Sequence, residues 1–328
     1  MPPPVLPAML ALISLVVGLP IAPRPTLVVV NQSGSTVSII DLTSGTTLAT
    51  LPTGHIPHEV AISSDGRWAV VTDYGDRTPG STLTVVDLLT LTVAKTIDLA
   101  PRMRPHSAFF LKDNHTLAVT SETSSAILLV DIATGQVTGE APTGQRVSHM
   151  MALNPDGRHA YTANIGDGSV SQIDLTGKEP VKFLPVSVQT EGLGLNSTGT
   201  QTWLGSNKTA RVYMVDLAGW KVVDSMQTGG MPYRIGFDPT GGVAVITNPT
   251  SDEIRFVDPA SRKLLGVLSV KGTPATQPEG LTMSPDGKTA WVTLNGSAEV
   301  VELDLATRTI RRRLPVGDGP DGIAYVER

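Results

Sequence analysis

Cysteine is absent from the 328 residues. That excludes a disulfide framework and a thiolate metal site, and leaves both oxidising and reducing compartments open. Basic blocks are scarce as well. The net charge is −5, charged residues make up 17%, and the one cationic run, Arg311-Arg312-Arg313, is short and strand-like. Nucleic-acid binding rests on neutralised phosphates, so it is not expected. Apolar stretches of helical period are missing beyond residue 25, whereas Gly 32 and Pro 25 are high and threonine and valine are abundant. Many turns and few helices point to an all-β protein.

The N-terminus is different in kind. Met9 to Leu19, MLALISLVVGL, is an unbroken apolar run with the length of a signal-peptide core. A membrane span needs about 20 apolar residues, so this run is short for one. The preceding MPPPVLP carries no Lys or Arg, and the small-residue cleavage candidate Ala22 is followed by Pro23. The expectation is a signal peptide or N-terminal anchor over 1–25, a single domain over 26–328, and a periplasmic or secreted protein without a stable span after processing. A mis-called start would instead leave it cytoplasmic.

The rest of the chain repeats itself. A β-like run closes on aspartate seven times, at Asp41, Asp87, Asp131, Asp174, Asp216, Asp258 and Asp304, spaced 46, 44, 43, 42, 42 and 46 residues apart. Turns Ser64-Asp65-Gly66, Pro155-Asp156-Gly157 and Pro285-Asp286-Gly287 recur in phase, with Pro239-Thr240-Gly241 as a variant. After each comes a run such as VVTD to Asp73, YTAN to Asn164 or VITN to Asn248. A period of about 40–45 residues with four short strands per unit is the mark of a propeller blade. The chain enters at Thr26–Asn31 on a second strand and leaves at Asp321–Val326 on a first strand. Six whole units and one composite therefore predict a seven-bladed ring closed by the C-terminal strand, with no open sheet edge at the seam.

This pattern resembles the YVTN-repeat β-propellers, from Thr26 to the C-terminus, although WLGS stands where YVTN is usual. The resemblance implies a periplasmic or surface-layer propeller. The same architecture occurs in lactonases and some lyases.

Aligning the units on their turns exposes one column. Seven residues before Asp65, Asp113 and Asp156 stand His58, His106 and His149. The same count gives Glu191, Tyr233 and Glu279, and the last blade adds Asp321. The stretch His55-Ile-Pro-His58-Glu59 thus belongs to a ring rather than a helical zinc motif, since Pro57 breaks a helix and biases Ile56 toward extended backbone. The column starts each innermost strand, so it predicts a ring of side chains at one wet channel mouth. Imidazoles and carboxylates suit Zn, Mn, Fe, Ni or Cu. His58, His106, His149 and Glu191 are the expected metal ligands. Glu279 or Asp321 would be general acid or base, and Tyr233 an oxyanion donor. Arg104, Arg146 and Arg234 are candidates to bind an anionic substrate.

The expected function is a monomeric enzyme acting on a small molecule in the channel, with a divalent metal ion assisting hydrolysis or elimination of an ester or lactone. That choice leans on the resemblance to propeller lactonases. The alternatives are a non-catalytic binding or scaffold propeller of YVTN type, and a histidine-ligated Fe or Cu redox enzyme.

Overall fold

The computed structural model describes residues 24–327; the Met9–Leu19 run lies outside them. Alternating apolar runs separated by Gly and Asp turns fold into seven antiparallel sheets of four strands each, forming a seven-bladed β-propeller. The composite blade orders its strands Pro320–Glu327, Pro25–Asn31, Thr36–Asp41 and Thr46–Pro52. The C-terminal strand pairs Val326 with Thr26 and Ile323 with Val29, closing the ring. This composite blade is blade 1. The remaining inner strands are Pro57–Ile62, Pro105–Phe110, Ser148–Leu153, Thr190–Leu195, Ile235–Phe237 and Pro278–Met283, in blades 2 to 7. Among the described residues, no helix is long and apolar enough to cross a membrane.

The core is a ring of seven clusters, one between each pair of neighbouring blades. Leu83 and Val85 meet Leu117 and Val119 between blades 2 and 3, and Phe256 meets Val292 and Leu303 between blades 6 and 7. Tyr161, Trp203 and Trp291, which share a strand column, are all buried in such clusters. The seven repeated aspartates serve the turns. Asp41, for example, accepts from the N–H groups of Thr43 and Ser44, and Asp304 from that of Thr307. The carboxylate satisfies turn donors that the ladder leaves open, so this column is structural.

Candidate functional site

The predicted column sits where each inner strand is irregular. Strand pairing shifts register between Pro57 and Val60, Pro105 and Ala108, Ser148 and Met151, Thr190 and Leu193, and Pro278 and Leu281. These five ring residues are therefore at a bulge, which re-aims a side chain out of the sheet. Threonine makes the bulge work. Thr72 accepts from the Glu59 N–H at 3.0 Å and donates to the His106 carbonyl of the next blade at 2.8 Å. Thr120 does the same with Ser107 N–H and the His149 carbonyl, Thr247 with Arg234 and Glu279, and Thr293 with Gly280 and Asp321. Gly280 is needed there because a Cβ would overlap the Asp321 carbonyl oxygen.

The entry to each inner strand departs from expectation. Ile56 has φ 48°, not extended backbone, and Arg104, Val147, Gln189, Gln277 and Gly319 at the same place have φ 51–61°. A positive φ at a β-branched residue such as Ile56 or Val147 costs about 1–3 kcal/mol. The compensation is tertiary: the Ile56 carbonyl accepts from Tyr74 N–H at 3.2 Å, and the Val147 carbonyl from Ile165 N–H at 3.0 Å. These bonds align a second ring that the sequence reading did not assemble. Gln32, Glu122, Ile165, Asn207, Pro249 and Asn295 each follow a second strand, Tyr74 lies near the end of its own, and five of the seven carry polar groups at the mouth.

The two rings engage each other side chain by side chain. His149 is held between Glu122, hydrogen-bonded to Nδ1, and Glu191, 3.5 Å from Nε2. Burial opposes charge on His149, but its two carboxylate partners outweigh burial and push it up to about 9. The same contact, against burial, holds Glu191 down at about 2, and Asn207 donates to its other oxygen. Tyr74 donates to Glu122 at 2.7 Å. His58 sets Nδ1 3.1 Å from Asp321 Oδ2, and Gln32 reaches His58 Nε2 at 3.1 Å and Asp321 at 3.2 Å.

His106 lies between His58 and His149, with ring centroids 5.0 and 3.5 Å away. It is 0% exposed, and neither of its ring nitrogens has a hydrogen-bond partner among the described residues. Burial, with charge on its neighbours, drives its pKa well below the ordinary value, so the imidazole is neutral. The wet mouth expected from the sequence is thus corrected at two positions: His106 and Asp321 are fully buried. Burial and the charge of Asp321 push Glu279 up to about 9 on the half-buried side of the ring. Burial also raises the Tyr233 phenol well above its usual range.

The expected arginines go to three different places. Arg234 lies one residue beyond the ring. Its guanidinium stacks 4.1 Å over Tyr233 and binds Glu59 across the channel. It faces a second cavity of about 590 Å³ on the far side of the ring, lined by inner strands of every blade. Arg104 packs over Tyr74 at 4.7 Å. Arg146 is exposed and pairs with Asp167. The four expected metal ligands are brought together but not onto one point. Among the described residues, no three histidine or carboxylate groups stand arranged to close on one ion.

No protein-family model matches the chain. Over 144 residues it is 28% identical to "Uncharacterized protein YwhL" of Bacillus subtilis (strain 168), covering 44% of this chain and 30% of that protein. Over 175 residues it is 25% identical to "Uncharacterized protein YncE" of Salmonella typhimurium, covering 52% and 48%. The chain thus spans about half or less of the length of these curated relatives. Two solved structures share the fold. Hydrazine synthase of Kuenenia stuttgartiensis has TM-score 0.72 at 18% identity, covering 83% of this chain and 95% of that one. The periplasmic gluconolactonase PpgL of Pseudomonas aeruginosa has TM-score 0.73 at 17% identity, covering 92% and 99%. At such identities the likeness establishes the β-propeller alone.

Proposed function

We propose that the channel mouth is the active site of a metal-dependent hydrolase that opens a lactone or cleaves an ester. The observation that carries this reading is His106, a buried neutral imidazole with two unpartnered nitrogens between two further histidines. Buried polar atoms are rarely left without partners, and such an orphan calls for one, a water or an ion. The surroundings favour a cation. Glu59, Glu191, Glu279 and Asp321 surround the buried guanidinium of Arg234, and Glu122 lies beyond them on His149. Glu122 on His149 Nδ1, and Asp321 on His58 Nδ1, are the outer carboxylates that orient metal-binding imidazoles elsewhere. His58, His106, His149 and Glu191 would hold the ion once their side chains rearrange to face one point. A bound divalent ion would supply Lewis-acid polarisation of a carbonyl.

The chain's own groups complete the reading. Glu279 keeps its proton at neutral pH and lies at the open side of the ring, so it suits a general acid for the leaving alcohol. The Tyr233 phenol stays protonated and can donate to a developing oxyanion. Asp321 is buried against His58 and suits orientation better than proton transfer. The lactonase named among the structural neighbours supports the choice of lactone, and the Met9–Leu19 run supports an exported protein. The test is hydrolysis of a panel of lactones and esters by protein loaded with Zn, Mn, Fe, Ni or Cu. Turnover should vanish on chelation and fall in Glu279→Gln. Activity indifferent to chelator would overturn the metal reading, and metal binding without turnover would leave a binding propeller.

A further inference from the structure

Blade 2 is built differently at the mouth. Nine positions separate Asp73 from its partner Thr82, whereas five separate Ser121 from Ala126, Asn164 from Ser169, and Ser206 from Arg211. The added residues extend the hairpin, with Gly75 paired to Pro79. They project on the ring side, because Tyr74 N–H and Gly75 N–H bond to the Ile56 and His55 carbonyls that lead into His58. At the base of this hairpin Tyr74 turns inward. Its ring centroid is 4.4 Å from His58 and 5.5 Å from His106, and its hydroxyl reaches Glu122. Arg104, from blade 3, then clamps the hairpin. It stacks on Tyr74 at 4.7 Å, donates Nη2 to the Asp76 carbonyl at 2.6 Å and its own N–H to the Gly80 carbonyl at 2.8 Å. His55 adds a contact to Asp76 at 3.3 Å.

We infer that this extended hairpin is a lid over the histidine cluster, with Tyr74 as its inner face and Arg104 as its latch. The inference rests on the proposed role of the cluster only in naming what the lid covers. Three features make it a lid and not a wall. Tyr74 is half-buried, so its outer side meets solvent. The latch is made by groups that water can replace on opening, since Arg104 is itself half-exposed. Gly75, at φ 78°, and Gly80 bound the tip that carries Asp76, so releasing Arg104 from that tip frees the Tyr74 ring to swing outward about its own side-chain bonds. Opening would expose His58 and His106 together while leaving the blade cores intact. An aromatic ring on two imidazoles also excludes water when closed, which strengthens electrostatic interactions beneath it. Tyr74 is therefore an access-controlling and positioning residue.

The test is histidine modification by diethyl pyrocarbonate in metal-free protein, read by mass spectrometry, with exposed His115, far from the hairpin, as internal reference. His58 and His106 should react slowly in wild type. Tyr74→Ala should speed both by about tenfold or more. Arg104→Ala, which only unlatches the hairpin, should give a smaller increase of the same sign. Tyr74→Phe keeps the ring and should stay near wild type. The rate of Co2+ loss to excess chelator should follow the same order in loaded protein. Unchanged modification of His58 and His106 in both Tyr74→Ala and Arg104→Ala would overturn the lid. Faster modification in a protein that takes up no Co2+ would uphold the lid and count against the metal reading alone.

Discussion

The imidazole of His106 lies 3.5 Å, centroid to centroid, from that of His149, yet the two rings take opposite charge states. His149 is kept protonated by Glu122 and Glu191, whereas His106, equally buried but with no carboxylate partner, is kept neutral. Protons on His149 and Glu279 hold together a site crowded with carboxylates. A divalent ion could take over that task, and its binding should release protons.

Metal-free protein should lose stability as pH rises from about 6.5 to about 9. His149 has its pKa raised from 6.5 to about 9, so its contribution is full below 6.5 and is lost as pH passes about 9. Glu279 is raised from 4.5 to about 9, so the unfolded chain sheds a proton that the folded chain keeps, and folding is disfavoured progressively over that window. Both act in one direction. Glu279→Gln removes the second contribution. In thermal melts it should exceed wild type at about pH 8 and approach it near pH 4.5. A wild-type melting curve flat from 6.5 to 9 would contradict these assignments.

The blade period, the composite blade and the His–carboxylate column were legible in the sequence because a propeller repeats one register and any insertion shifts every later column. The second ring was less so. Its positions follow the YVTN-like runs as regularly as the first, but Ile165 and Pro249 interrupt its chemistry. The fully buried state of His106 was not legible at all. Register gives height along the channel, whereas cover comes from the rings packed around it, those of His58, Tyr74 and His149. The backbone of Ile56 was misread because the proline rule is local, and the Tyr74 N–H bond that overrides it is tertiary.

Arg234 and Glu59 form a buried pair across the channel, with side chains 7% and 16% exposed. Arg234→Met leaves Glu59 without its partner and should cost about 3–5 kcal/mol in chemical denaturation. The double variant Glu59→Gln/Arg234→Met should recover most of that loss. Additive losses would mean the pair does not act as a unit.

Deleting residues 320–328 removes the inner strand of blade 1 and leaves Pro25–Asn31 with an open edge. The truncated chain should aggregate or lose its cooperative melt. A truncated protein that melts like the full chain would show that the ring does not depend on this strand.

Glu122→Gln preserves size at the His149 Nδ1 contact and removes the charge. NMR titration should find the His149 pKa lowered from its raised value, and metal affinity should fall about 10–100-fold. An unchanged His149 titration would place the source of its raised pKa elsewhere.

The most direct test is metal content and melting temperature of wild type and His106→Leu, purified without chelator, with His115→Ala as the distant control. Wild type and the control should carry about one divalent ion per chain and melt lower after chelation, because an ion bound only to the folded state stabilises it. His106→Leu should carry little metal and ignore chelator. Stripped of metal, it should melt at or above stripped wild type, since it lacks two buried unpartnered nitrogens. If wild type binds none of Zn, Mn, Fe, Ni or Cu, or if His106→Leu carries as much as wild type, the histidine ring is not a metal site.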